Sequence, residues 1–212
     1  RVPMPRYWVA ERVDSSGGSE QPETLFGEPA RDRSLGVDAR LGRWRHGWLL
    51  GWRDVARSVD ERTLIASVIP RVAVGDKFLL AFVPGKAACL QANLSALVTD
   101  YVVRQKLSGP ALKYFVIKQV AVLPPTAYDA VPPWDREAGS LEAWVTARVL
   151  ELTYTSYDIA AYARDLGDEG EPFRWDAQRR SLMRAELDAA YFHLYGVTRD
   201  DVDHILGTFP LV

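Results

Sequence analysis

Along the middle of the chain, apolar and polar positions first keep a strand-like pattern and then change period. Trp48 to Val55 (WLLGWRDV) and Thr63 to Ile69 (TLIASVI) are short apolar stretches rich in β-branched and aromatic residues, the second closed by Pro70. Lys77 to Val83 (KFLLAFV) comes after a turn at Gly75-Asp76 and stops at Pro84-Gly85, so a third strand is expected there. From Ala87 to Leu107 the apolar residues Leu90, Leu94, Leu97, Val98, Tyr101 and Val102 recur at three- and four-residue spacing. This is the stripe of an amphipathic helix, and Ser108-Gly109-Pro110 should end it. Lys113 to Leu123 (KYFVIKQVAVL) alternates again and reads as a further strand, closed by Pro124-Pro125.

The two ends differ from this middle. Arg6 to Glu11 (RYWVAE) has the aromatic and β-branched content of a short strand. Residues 14–39 read as a flexible loop, because Ser15 to Ser19 sustains neither helix nor strand and Pro22 and Pro29 interrupt the rest of the stretch. Beyond Ser140 the pattern is helical to about Leu166, with a break expected near Thr153–Ser156. A second helix is expected over Trp175 to Tyr195, with Leu182, Met183, Leu187, Ala190, Tyr191 and Leu194 on one face and Gly196 as its cap. Thr198, with Asp200 and Asp201 after it, should start a short last helix. The expected organisation is an α/β unit over residues 1–128 and a helical C-terminal region over 129–212, joined by the proline-rich stretch Pro124–Pro133.

Composition adds bounds. Hydrophobic residues make up 48% and charged residues 25%, as in ordinary globular proteins. The uncharged run from Ala87 to Thr99 is broken by Gln91 and Asn93, short of the roughly 18–20 apolar residues of a membrane helix. RVPMPRYW lacks the apolar core of a signal peptide, and a start at Arg1 reads as a fragment of a longer polypeptide. With Cys89 as the single cysteine, no internal disulfide or cysteine-built metal cluster is possible, and a reducing cytoplasm is the expected compartment. Net charge is −2, but residues 31–118 carry 15 basic against seven acidic side chains, and residues 119–212 carry eight against 16. A middle segment this positive suits a polyanion.

Candidate chemistry is sparse. The three histidines, His46, His193 and His204, have no metal-ligand spacing. There is no nucleophile elbow, Walker loop or glycine-rich dinucleotide turn. Neither Pro124-Pro125 nor Pro132-Pro133 comes directly after Asn or Asp, as an amino-group methylase motif would require. Asp76-Lys77 matches the end of a nuclease motif, but no second carboxylate stands two residues before the lysine. No catalytic, cofactor or metal site is therefore expected in this chain. A binding surface is. Arg40, Arg43, Arg45, Arg53, Arg57 and Arg62 interleave with Trp44, Trp48 and Trp52, and a second cluster holds Arg104, Gln105, Lys106, Lys113 and Lys118. Guanidinium forks suit phosphates and guanine edges, so Arg40, Arg43, Arg45, Arg53, Arg57, Arg62, Arg104, Lys106 and Lys113 are the candidate DNA contacts.

Longer strings carry a resemblance. WLLGWRDVAR at 48–57, ERTLIASVIP at 61–70, LQANLSALVTDYVVRQK at 90–106 and KYFVIKQVAVLP at 113–124 together resemble C-terminal target-recognition regions of single-chain restriction–modification enzymes and phage-defence adenine methyltransferases. The tail, with FRWD at 173–176, RAELDAAY at 184–191 and LYG at 194–196, is similar to the ends of such proteins. The resemblance covers residues 40–212 well and 1–39 poorly. It implies an α/β fold with a mixed sheet and a packed helix, as in type I specificity subunits, followed by a helical tail. It further implies a double-stranded DNA partner, and an upstream methyltransferase module that binds S-adenosylmethionine and carries the catalysis. A protein-interaction scaffold and a metal-dependent nuclease are the alternative readings.

Overall fold

The structure is a computed structural model that describes residues 41–209; the expected strand at 6–11, the loop at 14–39 and Arg40 lie outside the described residues. Its fold is mixed α/β, built on a three-stranded sheet of order β2-β1-β3. Strand β1 (Trp48–Arg53) lies between β2 (Ala66–Pro70) and β3 (Phe78–Ala81), and both pairings are antiparallel. Trp48 to Trp52 are all buried, which explains why β1 reads as a continuous apolar run rather than an alternation. Gly51 sits where β1 and β3 approach closely: a Cβ there would meet the Leu79 carbonyl oxygen and the Phe78 ring.

The expected single helix over 87–107 is two helices, α1 (Ala87–Ser95) and α2 (Leu97–Lys106), separated by Ala96 in extended conformation. The break has a tertiary cause. Asp188, far along the chain, accepts the first amide of α2, from Leu97, at 2.7 Å, which satisfies one donor that a helix start leaves open. The stripe itself is buried as expected, with Leu94, Leu97 and Val98 in the core.

The expected strand at 113–123 is not formed. A single bridge pairs Val55 with Ala111, and the chain then turns into a short helix α3 (Tyr114–Ile117). Leu112 and Val116 are buried and Val120 packs against the same cluster, a four-residue period that belongs to a helical turn. The sheet is therefore antiparallel throughout the described residues rather than mixed. Tyr114 has another use. Its hydroxyl accepts from Leu80 N–H at 3.1 Å and donates to the Leu80 carbonyl at 3.0 Å, closing the outer edge of β3.

The helical region is set by its caps. Ser140 accepts the Ala143 amide at 3.1 Å and starts α4 (Leu141–Thr153). The chain breaks after Thr153 as expected and resumes as α5 (Ala160–Asp165). Helix α6 (Ala177–Leu194) starts two residues later than Trp175 because Asp176 caps it, accepting the Arg179 amide at 2.9 Å. Leu182 is 58% exposed and does not share the buried face of Met183, Leu187, Ala190 and Tyr191. Gly196 takes φ +67°, and Thr198 caps α7 (Arg199–Gly207).

One large apolar cluster joins Trp44, β1, α1, α4, α6 and Phe209, so packing is continuous across residues 128 and 129. A second, smaller cluster holds Trp52, Leu64, Leu94, Val103, Leu112 and Val116. Between α1, α6 and the 123–128 segment lies a buried polar network: Tyr128 and Tyr191 hydroxyls meet at 3.1 Å, and Asn93 accepts the Leu123 amide at 2.9 Å. Burial pushes both tyrosines up and raises the Cys89 thiol to about 12, which keeps it protonated. Among the described residues no helix is long and apolar enough to cross a membrane.

Candidate nucleic-acid interface

The register of the sheet decides which cations meet. Arg53 is the last residue of β1 and pairs with Phe78, so Lys77 falls beside Asp54, whose amide donates to the Lys77 carbonyl at 2.8 Å. The 110–113 segment runs along the same end, with Ala56 N–H on the Pro110 carbonyl (3.1 Å) and Leu112 N–H on the Asp54 carbonyl (2.6 Å). Arg53, Arg57, Lys77 and Lys113 therefore gather at one end of the sheet, although they are spread over 60 positions of sequence.

Carboxylates beneath them organise the cluster. Asp54 is buried, and its Oδ2 accepts Lys113 Nζ at 2.8 Å with Lys77 Nζ at 3.6 Å. The Lys113 hydrogen bond holds the Asp54 carboxyl below the usual range, against the opposing effect of burial. Its second oxygen, Oδ1, has no partner within the protein. Asp60 accepts Arg57 Nε at 2.9 Å and lies 3.4 Å from Arg53 Nη2, and the Arg57 bond likewise lowers its carboxyl. The cations stay reachable: the side chains of Arg53 and Lys113 are 44% exposed, those of Lys77 and Arg57 63% and 69%.

Arg104 plays a different part from the one expected of it. Its side chain is 5% exposed and pairs with Asp100 at 3.0 Å. It also donates to the carbonyls of Ser58 (3.0 Å), Asp60 (2.6 Å) and Glu61 (2.9 Å) and lies 4.0 Å over the Phe209 ring. Asp100 in turn accepts the Thr63 and Leu64 amides. With all three nitrogens bonded and the side chain buried, Arg104 is out of reach of a phosphate; it fixes the 58–61 loop from behind. Lys106, two residues further on, is exposed and forms no ion pair among the described residues.

Three other candidates stand apart from this cluster. Arg62 turns toward α6, bonding Asp188 at 3.1 Å and the Ser95 carbonyl at 3.2 Å. Arg43 and Arg45 are exposed but precede β1, so the strand's length, roughly 17 Å at about 3.3 Å per residue, separates them from Arg53. Nor do the tryptophans offer stacking faces. Trp44, Trp48 and Trp52 are buried and donate Nε1 to the Trp48 carbonyl (2.6 Å), Asp165 (2.7 Å) and the Leu112 carbonyl (2.8 Å). The interleaving seen in sequence thus resolves into core tryptophans and separate surface arginines.

Two surface residues at this end carried no sequence signal strong enough to single them out. Lys77 joins the cluster through strand register alone. Phe115 is 62% exposed, directed outward by the helical turn that buries Leu112 and Val116; the four-residue spacing of those two was the available signal. His46 pairs with Asp165 at 2.6 Å, while His193 and His204 stack edge-on against Trp134 and Tyr101. No group of three or more His, Cys, Asp or Glu side chains able to hold a metal occurs among the described residues. No family model matches the chain, and neither the curated proteins nor the solved structures contain a significant match.

Proposed function

We propose that this chain is the target-recognition region of a bacterial restriction–modification or phage-defence adenine methyltransferase, acting in the cytoplasm and gripping duplex DNA through the cationic end of its sheet. The observation that carries the reading is the convergence of Arg53, Arg57, Lys77 and Lys113 over buried or half-buried carboxylates, with Lys106 at the end of α2. Phosphate contacts would position the duplex, and an arginine fork is the group best suited to a guanine edge. The excess of basic side chains over residues 31–118 and the resemblance of the 48–124 strings support the same reading.

Catalysis in this reading belongs to an upstream methyltransferase module, which holds S-adenosylmethionine. This reading assigns no cofactor to the described residues. The turn from β3 into α1 carries Gly85 as its only glycine, and its Lys86 is bound to Asp129 (2.6 Å) and Glu142 (2.5 Å) rather than open to a ligand. Calorimetry should accordingly detect no micromolar S-adenosylmethionine binding by this chain.

Fluorescence anisotropy on a labelled duplex across a salt series tests the interface. Arg57→Ala, Lys77→Ala and Lys106→Ala should each lower the log–log salt slope by about 0.9 if each neutralises one phosphate. Salt slopes identical to wild type for all three would remove DNA from this surface and favour a protein-interaction role. Divalent-metal-dependent cleavage of a plasmid would replace the reading with a nuclease.

A further inference from the structure

Between β2, α1, α4, α6 and α7 lies a groove of about 820 Å³, and none of Arg53, Arg57, Lys77 and Lys113 lines it. Small-molecule sites commonly have volumes of about 300–1,000 Å³. The walls are mainly apolar, with Leu64, Leu97, Leu187 and Phe192 buried along them. Helix α6 supplies most of the charge. Arg180, Arg184, Asp188 and Phe192 follow one another at four-residue spacing, so one face of the helix brings two cations, an acid and an aromatic ring to the groove.

Three arginines and two acids line this groove, and their pairing leaves positive charge over at one place. Asp188 is committed: one oxygen accepts the Leu97 amide at 2.7 Å and the other accepts Arg62 at 3.1 Å. Arg180 donates to the Leu152 carbonyl at 2.9 Å and lies 3.8 Å over the ring of Trp175, which is 65% exposed. Arg184, one helical turn on, is exposed and makes no hydrogen bond or ion pair among the described residues. Nearby Glu151 is taken by Arg179. Burial and then the charge of Arg184 push the Arg180 guanidinium below its ordinary value, so the two cations repel each other. An anion between them would replace that repulsion with charge-assisted hydrogen bonds, and guanidinium forks match carboxylate and phosphate oxygens. We propose that the groove binds a small amphiphilic acid, its carboxylate or phosphate held between Arg180 and Arg184 and its apolar body laid along Leu64, Leu97, Leu187 and Phe192.

Titration of the full chain with 1-anilinonaphthalene-8-sulfonate, a fluorescent acid with an apolar aromatic body, tests the site. A single saturable site should appear, and decanoate should displace the probe. Decanol, which keeps the apolar chain and drops the charge, should displace it at least about tenfold less well. Arg184→Ala should weaken the probe and decanoate at least about tenfold through loss of a charge-assisted bond, with Arg184→Lys between it and wild type. Ala185→Trp, at an exposed position on the groove wall, should block the site while the urea midpoint stays that of wild type. Because both positions are exposed, neither variant depends on repacking the core. Equal probe affinity in wild type, Arg184→Ala and Ala185→Trp overturns the proposal, as does equal displacement by decanol and decanoate. Displacement of the probe by duplex DNA but not by decanoate also overturns it and assigns the groove to nucleic acid.

Discussion

Replacing Arg104 separates a structural cation from a DNA-binding one. Its charge is 5% exposed, its partner Asp100 is 1% exposed, and three backbone carbonyls of the 58–61 loop depend on it. Arg104→Ala leaves the Asp100 carboxylate buried without its cation and strips the loop of its anchor. Breaking a buried pair in this way costs about 3–5 kcal/mol. Arg104→Lys keeps the charge but presents a single ammonium where a planar fork spans four acceptors. Losing one or two of those bonds should cost about 1–3 kcal/mol. Urea titration measures both, the expected signature being a lower midpoint at unchanged m. Anisotropy on the folded Arg104→Lys protein should then return the wild-type salt slope, because that side chain meets no phosphate. The reasoning fails if Arg104→Ala keeps wild-type stability while its salt slope falls by about 0.9, the behaviour of a surface DNA contact.

Leu94 is buried in the smaller cluster, so Leu94→Ala should cost about 2–5 kcal/mol, and an unchanged melting temperature would mean that α1 is peripheral. Gly51→Ala drives a methyl against the Leu79 carbonyl and the Phe78 ring, and should cost about 1–3 kcal/mol in thermal unfolding through strain between β1 and β3. Asp54 has its carboxyl held below its ordinary 3.8, so its ionised form contributes stability in full above about that pH and loses it as pH falls through the lowered value. The gap in urea midpoint between wild type and Asp54→Asn should accordingly be constant from pH 7 to about 4 and narrow below; a gap that persists unchanged to strongly acid pH would show that the Lys113 pairing does not hold the charge. On DNA, Arg43→Ala with Arg45→Ala should leave the salt slope nearer to wild type than Arg53→Ala with Arg57→Ala, since only the second pair stands at the clustered end of the sheet.

Local signals were enough for the elements whose causes are local. The three strands arise from apolar period, and the caps at Ser140 and Thr198 from side chains three residues before the affected amide. Tertiary structure decided the rest. Asp188 splits the 87–107 helix from about ninety residues away. The 113–123 stretch alternates in sequence, yet Leu112 and Val116 find the same apolar cluster at helical spacing, and Tyr114 spends its hydroxyl on β3. Charge behaves the same way. Sequence counts cations and reveals a basic middle segment, but a cation's role depends on what neutralises it, and neutralising partners are set by fold. Thus Arg104 disappears into the interior on a carboxylate one helical turn before it, Arg62 turns to Asp188, and Lys77 joins Arg53 because an antiparallel register places them side by side.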